Sequence, residues 1–149
     1  MSVELNVVPT TEKPTLQSLL SDYLKELNAE LDYPYFDLYW KEENRIPLFI
    51  KVKDATIGFA LLNRWFEHPV FEADRAIAEF YILPDSRRRG YGQAAAQQIF
   101  ATFGKHWEVK TGMDNEMAIA FWRTAIGTFT NDAFSEWRKE TEGVVIWTF

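Results

Sequence analysis

The sequence contains no cysteine and only two histidines, His68 and His106. Without cysteine the chain can form no disulfide, offer no thiolate nucleophile and build no Cys-based zinc or iron–sulfur site. The two histidines lie far apart in the sequence, and neither belongs to a motif with metal-ligand spacing. We therefore expect no metal site.

Long apolar runs are also missing, since none approaches the roughly 18 residues that a membrane-spanning helix needs. Residues 1–14 carry acidic side chains and no long apolar stretch, so we expect no signal peptide. Basic residues are outnumbered, with 16 Lys and Arg against 22 Asp and Glu and a formal net charge of −6. Because polyanions are bound by an excess of positive charge, we predict neither a nucleic acid nor a membrane as partner. The default expectation is a soluble cytoplasmic protein.

Apolar and aromatic side chains are plentiful, at 47% and 16% of the 149 residues. A chain of this length and composition can bury one substantial core, and it contains no repeat, linker or low-complexity tract. We therefore predict a single domain over residues 1–149.

Hydrophobic spacing and turn residues predict the element order β-α-β-β-β-α-β-α-β. Three consecutive antiparallel strands followed by alternating helices and strands indicate an α+β fold, with helices on both faces of a mixed sheet. The first helix is predicted to begin near Pro14, and its leucine pattern continues to Leu31. In the last helix, Met117 is expected on or near the face that carries Phe121 and Trp122. The other predicted helices are Tyr91–Phe103, with Gly104 as its C-cap, and Asn115–Phe129. The predicted strands are Val3–Pro9, Ile46–Asp54, Thr56–Trp65, Arg75–Pro84, His106–Gly112 and Val144–Phe149. The second and third of these form a hairpin that turns at Asp54–Ala55, and the last pairs with Ala133–Lys139.

The segment Pro84–Gln97, PDSRRRGYGQAAAQ, lies between a predicted strand and a predicted helix. A helix start presents unpaired N–H groups and a partial positive charge, and Gly90 and Gly92 let a bulky anion approach the backbone. Arg87, Arg88 and Arg89 add positive charge. Together these features indicate an anion site of the pyrophosphate type. The alternative, a solvated basic surface at a helix start, fits the composition equally well.

Two segments resemble the motifs of the GNAT superfamily of N-acetyltransferases. ILPDSRRRGYGQ is similar to the pattern V/I-x-P-x-x-Q/R-x-x-G-x-G/A, and NEMAIAFWRTAIG is similar to N-x-x-A-x-x-F-Y/W after a strand. The positions in register are Ile82, Pro84, Arg87, Gly90, Gly92, Asn115, Ala118, Phe121 and Trp122. The resemblance implies the GNAT fold, a mostly antiparallel central sheet splayed in the middle, over nearly the whole chain.

The resemblance also implies acetyl-CoA as co-substrate, lying in the splay between the strands AEFYIL and WEVKTG. Strand backbone would pair with pantetheine, the N–H groups of residues 88–93 would hold the pyrophosphate, and Asn115 would bind the CoA arm. Plain core packing stays open for the two aromatic residues of the last helix. The cofactor-binding residues implied are Phe80, Tyr81, Ile82, Arg87, Arg88, Arg89, Gly90, Tyr91, Gly92, Gln93, Asn115, Phe121 and Trp122.

For catalysis, the resemblance implies direct attack by an amine on the thioester, with the Ile82 amide as oxyanion donor. Glu79 is the candidate to take the amine proton, although an ordinary exposed carboxylate is equally compatible. Trp122 stands where many members carry a tyrosine as general acid, and an indole cannot readily give up its proton. The general acid therefore stays open, with Tyr81 and Tyr91 as substitutes.

The acceptor is expected to be a small-molecule or peptide amine shaped by residues 31–40 and 63–74, which are aromatic and acidic. Such a cleft suits a cationic amine, unless these aromatics are only core. Glu72 and Asp74 are weaker candidates for binding it. Two rival functions stay open, a non-catalytic acyl-CoA-binding module and an interaction protein that reuses the fold. The family also suggests a homodimer through the terminal strands.

Overall fold

The second and third strands are joined by a tight turn at Lys53 and Asp54, whose φ angles are 51° and 67°. Positive φ at both central residues is typical of the type I′ hairpin, which matches the twist of the strands it joins. Val52 therefore pairs with Ala55, and the turn lies one residue before the predicted Asp54–Ala55.

A computed structural model describes residues 2–149. The helices and strands, numbered in chain order, are β1 Glu4–Val7, α1 Lys13–Glu26, β2 Ile46–Val52, β3 Ala55–Asn63, β4 Arg75–Ile82, α2 Tyr91–Phe103, β5 Trp107–Gly112, α3 Glu116–Thr130, β6 Ser135–Lys139 and β7 Val144–Thr148, with a short 3-10 helix at Phe36–Trp40. Over these residues the strands form one sheet in the order β1-β2-β3-β4-β5-β7-β6. The predicted α+β class is confirmed, and so is the pairing of the last two strands, which run antiparallel.

The two faces of the sheet carry different helices. Leu16, Leu20 and Leu24 of α1 pack on one face, against a cluster that includes Phe59 and Tyr81. Helices α2 and α3 cover the other face, and their buried side chains surround Trp107. The predicted helices on both faces are confirmed.

The centre of the sheet is splayed. Strand β4 pairs with β5 in parallel through only three positions, of which Ile77↔Val109 is the last. Strand β4 nevertheless continues to Ile82, and β5 continues to Gly112. One edge of β4 is therefore left without a strand partner in the middle of the sheet.

On its other edge, β4 lies very close to β3 at Gly58. A Cβ atom at this position would collide with the carbonyl oxygen of Tyr81. Glycine is required here by space, and it fixes the register that places Ile82 opposite Gly58.

Two predictions about the helices are wrong. Helix α1 ends at Glu26, because Asn28 turns into the left-handed region with a φ of 60°, and Leu31 lies beyond it and is exposed. Met117 is 79% exposed and does not share the buried face of Trp122. The prediction that Gly104 is the C-cap of α2 is confirmed, and its backbone there is extended. It is glycine because a Cβ would lie 2.6 Å from an Asp74 carboxylate oxygen.

Among the described residues no helix is long and apolar enough to cross a membrane. Residues 2–149 also contain no group of three or more His, Asp or Glu side chains placed to hold a metal ion.

Candidate functional site: an open strand edge, an anion cradle and a cavity at Glu79

The unpaired edge of β4 presents backbone hydrogen-bonding groups. The N–H of Leu83 donates to the carbonyl oxygen of Ile57 at 2.7 Å, so Leu83 faces the β3 side of the sheet. Successive residues of a strand direct their backbone groups to opposite edges, so Phe80 and Ile82 direct theirs toward the splay. An extended ligand lying there can pair with them as another strand would.

The open edge of β4 leads into a cradle of free N–H groups at the start of α2. Arg88 and Gly90 both have positive φ, at 63° and 83°, and the helix begins at Tyr91. Within the described chain, none of the backbone N–H groups from Arg88 through Gln93 donates to a backbone or side-chain acceptor, and the first donor is Ala94, to the Gly90 oxygen. Six neighbouring donors at the positive end of a 13-residue helix can together bind a large anion.

The three arginines before this helix differ in their surroundings. Arg87 donates from Nε to the carbonyl oxygen of Ile82 at 2.8 Å and from Nη2 to Glu26 at 2.7 Å. Its guanidinium also lies 5.5 Å from the centre of the Tyr81 ring. Arg87 therefore joins the cradle to the end of β4 and to α1. Arg88 and Arg89 are exposed beside the free N–H groups.

An aromatic cluster of Phe80, Phe121 and Trp122 joins β4 to α3, with ring centres 4.8 to 5.5 Å apart. Trp122 is only 6% exposed and belongs to the main core. Gly92 contacts the same cluster, because a Cβ there would lie 3.0 Å from Cε1 of Phe121. The structure thus places both aromatic residues of α3 in packing contacts beside the cradle.

Asn115 is the N-cap of α3. Its Oδ1 accepts a hydrogen bond from the N–H of Ala118 at 3.1 Å, which satisfies one of the free donors at that helix end. The carbonyl oxygen of the Asn115 side chain is therefore used within the protein, and its amide nitrogen is the group left to contact a ligand.

Glu79 lies on the α1 face of the sheet, together with Tyr81, and is held by two tyrosines. Tyr23 donates to Oε1 at 2.8 Å, and Tyr33 donates to Oε2 at 3.0 Å. Burial raises the pKa of Glu79 above its ordinary value, and the two phenol hydrogen bonds act in the opposite direction. Burial and the neighbouring carboxylate also raise the pKa values of both phenols, so they stay protonated donors.

A cavity of about 350 Å³ opens beside Glu79. Both of the segments expected to shape the acceptor site reach it, residues 31–40 through Tyr33 and Tyr35 and residues 63–74 through Asn63, Trp65 and Glu67. The charged side chains in its wall are Arg45, Glu67, Glu79, Glu108 and Lys110.

The carboxylates of this cavity already have donors within the protein. Glu108, which is 1% exposed, accepts from the backbone N–H groups of Glu67 and His68 at 2.7 and 2.9 Å. Glu67 in turn pairs with Lys110 through Oε1 and with Lys139 through Oε2. These contacts tie the loop after β3 to β5 and β6.

The other acidic candidates lie elsewhere. Asp74 accepts hydrogen bonds from the backbone N–H groups of Lys105 and His106, where it holds the turn before β5. Glu72 is exposed, and neither residue lines the cavity.

Sequence reasoning missed several residues at this site. Tyr23, Arg45, Glu108 and Lys110 lie in elements where no motif distinguishes them from structural residues. The one available signal was the acidic and aromatic character of the two acceptor segments, which pointed to the region and to no individual contact.

Comparison with known proteins agrees with this architecture. A sequence profile of the acetyltransferase (GNAT) family matches residues 13–127. A search of curated proteins finds no significant match.

Among solved structures, an acetyltransferase from Thermus thermophilus superposes with a TM-score of 0.74 at 15% identity, covering 100% of this chain and 97% of that one. A ribosomal-protein-alanine N-acetyltransferase from Brucella melitensis gives 0.67 at 13% identity, with 98% of each chain covered. A spermidine N-acetyltransferase from Vibrio cholerae, in complex with CoA and spermine, gives 0.65 at 14% identity and covers 99% of this chain and 94% of its own.

At these identities the structural likeness shows the fold alone, and the family rests on the sequence profile, which spans most of the chain. The chain belongs to the acetyltransferase (GNAT) family of N-acetyltransferases, enzymes that transfer acetyl groups from acetyl-CoA to amines.

Proposed function

We propose that this protein binds acetyl-CoA along the open edge of β4 and transfers the acetyl group to a primary amine that enters the cavity beside Glu79. The observation that carries the proposal is the continuity between the unpaired β4 edge and the six free N–H groups at the start of α2. The unpaired edge of β4 can pair with an extended arm that carries amides, and the free N–H groups at the start of α2 can bind a pyrophosphate.

The residues present fit CoA. The backbone N–H groups of residues 88–93 would hold the pyrophosphate, and Arg88 and Arg89 would add charge from their exposed side chains. Phe80 and Ile82 would pair with the amides of the pantetheine arm through their outward backbone groups. The amide nitrogen of Asn115 is the group available to the CoA arm on the α3 side.

Bound acetyl-CoA supplies an activated acetyl thioester. The N–H of Ile82 is the donor that would stabilise negative charge on the acetyl oxygen. The amine nitrogen forms the new bond to the acetyl carbon while the carbon–sulfur bond breaks, and CoA leaves through its sulfur. The amine must lose a proton, and Glu79 is the group that takes it, directly or through a water molecule.

Glu79 suits this role because its pKa is raised by burial, which makes the carboxylate a stronger base than an exposed glutamate. Tyr23 and Tyr33 fix both of its oxygens. Trp122 has no part in proton transfer, since an indole N–H is donor only and its ring is packed against Phe80. The departing sulfur would take its proton from solvent, or leave without one.

The experiment is a thermal-shift titration with acetyl-CoA followed by amine-dependent release of the CoA thiol. A ligand that binds only the native state raises apparent stability, so the proposal predicts a concentration-dependent rise in Tm. It then predicts thiol release with at least one amine. A rise in Tm without thiol release from any amine would support the non-catalytic acyl-CoA-binding module instead. That the protein is cytoplasmic and that it forms a homodimer both stay predictions.

A further inference from the structure

The carboxylates in the wall of the cavity beside Glu79 already accept hydrogen bonds from the protein, while some donors there have no protein partner. Each carboxylate oxygen in its wall accepts from a protein donor: those of Glu79 from Tyr23 and Tyr33, those of Glu108 from two backbone N–H groups, and those of Glu67 from two lysines. Glu67 is paired with two cations and Glu108 is buried under two backbone N–H groups, so neither offers an uncompensated charge to a polycation. Glu79 is held by two neutral phenols and keeps a second lone pair on each oxygen for one amine.

Arg45 and Lys110 are the two cationic side chains in the cavity wall, and Lys110 is paired with Glu67. The Nε of Arg45 donates to Oε1 of Glu42 at 2.8 Å, and the guanidinium also contacts the buried hydroxyl of Tyr39. A guanidinium has five N–H donors, so these two contacts leave Nη hydrogens for a ligand. The guanidinium is held between rings, 5.4 Å from the centre of Tyr35 and 5.5 Å from that of Tyr39. Its side chain is only 13% exposed, so most of the motion of a free surface arginine is already lost.

Asn63 adds a second donor. Its Oδ1 accepts from the backbone N–H of Trp65 at 3.1 Å, which leaves the Nδ2 group as the end available to a ligand. Within residues 2–149 that nitrogen donates to no protein acceptor. A planar oxyanion matches this set of donors, because guanidinium N–H groups bind carboxylates in pairs.

We propose that the acceptor amine also carries a carboxylate, as an amino acid does, and that Arg45 binds this carboxylate while Glu79 faces the amine. The inference rests on the proposed function. Both residues line one cavity of about 350 Å³, so a small molecule that contacts one can contact the other. The rings of Tyr33, Tyr35 and Trp65 also line the cavity, and they can pack against an apolar or aromatic side chain of the acceptor.

The test uses matched trios of amines, each an amino acid, its carboxamide and the corresponding amine without the carboxyl group, for example L-phenylalanine, L-phenylalaninamide and phenethylamine. Spermidine serves as the polycation. The free carboxylate is expected to be acetylated with the highest kcat/KM in at least one trio, although the carboxamide has the less basic and more readily deprotonated amine. Spermidine or the decarboxylated amines outperforming every amino acid would overturn the inference.

Arg45→Gln tests the residue. It is expected to lower kcat/KM for the carboxylate about 10- to 100-fold, since a hydrogen bond to a charged group is lost, and to change kcat/KM for the carboxamide by less than about threefold. Arg45→Lys should recover only part of the preference, because it keeps the charge and loses the paired geometry. Glu42→Gln is the control, as it leaves both Nη groups in place. Equal losses on carboxylate and carboxamide in Arg45→Gln would contradict the assignment.

A binding measurement separates this inference from the proposed function. Calorimetric titration of the amino acid and its carboxamide into the protein saturated with CoA reads the Arg45 contact without turnover. Carboxylate binding that is lost in Arg45→Gln supports the inference even if no amine is acetylated, in which case the proposed function fails. Turnover with no preference for the carboxylate in any trio would support the proposed function and contradict the carboxylate inference. Absence of both carboxylate binding and carboxylate preference would also contradict the carboxylate inference.

Discussion

The hydroxyl of Tyr23 donates to Glu79 at 2.8 Å across the space between α1 and β4, joining two residues 56 positions apart in the chain. Tyr33 donates to the other carboxylate oxygen from the loop that follows α1. The carboxylate is thereby fixed on both sides, partly buried and beside a cavity. Its orientation and its basicity are set by residues of the acceptor side of the molecule, so acceptor binding and proton transfer are expected to be coupled.

Tyr33→Phe removes one of these donors. The phenol hydrogen bonds lower the pKa of Glu79, so losing one is expected to raise that pKa further. Because the carboxylate must be ionised to accept a proton, the acid limb of kcat/KM against pH should move to higher pH. Tyr35→Phe is the matched control, since Tyr35 lines the same cavity and donates no hydrogen bond to Glu79. An acid limb that stays in place in Tyr33→Phe would remove Glu79 as the titrating group.

Glu79→Gln has a distinct expected effect on stability. A carboxyl group whose pKa is raised in the folded state contributes stability below its unfolded pKa, and that contribution is lost as pH rises through the folded value. At neutral pH, burial makes the ionised carboxylate of Glu79 less stable in the folded protein than in the unfolded chain. Glu79→Gln should therefore match or exceed the wild-type Tm at pH 7, and lose that advantage below about pH 4.5. A large drop in Tm at pH 7 would show that the charge stabilises the fold.

Gly90→Ala and Gly143→Ala form a matched pair for the cradle. Both glycines have positive φ, 83° and 64°, so an alanine strains either one by about 1–2 kcal/mol. Gly143 lies in the turn before β7, where a Cβ would have no neighbour within 4 Å. Both variants should lose similar stability, and only Gly90→Ala should weaken CoA binding, by tenfold or more in calorimetry. Equal CoA affinities in the two variants would contradict the cradle.

Trp122→Phe tests whether the indole has a chemical role. Trp122 packs against Phe80 and Phe121 in the core, so the smaller ring should lower stability by about 1–2 kcal/mol. Turnover at saturating substrate should fall by less than about fivefold, because Trp122 donates no proton. Trp122→Tyr provides the comparison, as it restores a phenol at this position. A hundredfold fall in kcat for Trp122→Phe that Trp122→Tyr reverses would assign the general acid to this site.

Much of the structure around the proposed CoA site could be predicted from the sequence because its determinants are local. The strand that ends before Pro84, the turn at Gly90 and the helix from Tyr91 follow one another without interruption. Alternation along β4 correctly placed Glu79 on the face of Tyr81 and opposite Phe80. The splay between β4 and β5 followed from the family resemblance, since nothing in either strand alone limits their pairing to three positions.

The acceptor side could not be predicted, because its contacts join distant segments. Glu108 appears in the sequence as one strand residue among others, yet it holds the backbone of Glu67 from 41 residues away. Residues from distant segments also donate hydrogen bonds to Glu79 and Glu67. The acidic residues of the cavity wall are therefore already partnered in the fold. Charge counting along the chain cannot reveal which carboxylates are already paired.

The most direct test of the account is the rate of amine-dependent thiol release from acetyl-CoA by the wild-type protein and Glu79→Gln, measured side by side at saturating acetyl-CoA. We expect turnover by the wild type and a rate at least about 100-fold lower in Glu79→Gln, the usual scale for loss of a general base. Both proteins should show the same rise in Tm on binding CoA. Equal rates in the two proteins, or thiol release that does not depend on the amine, would contradict it.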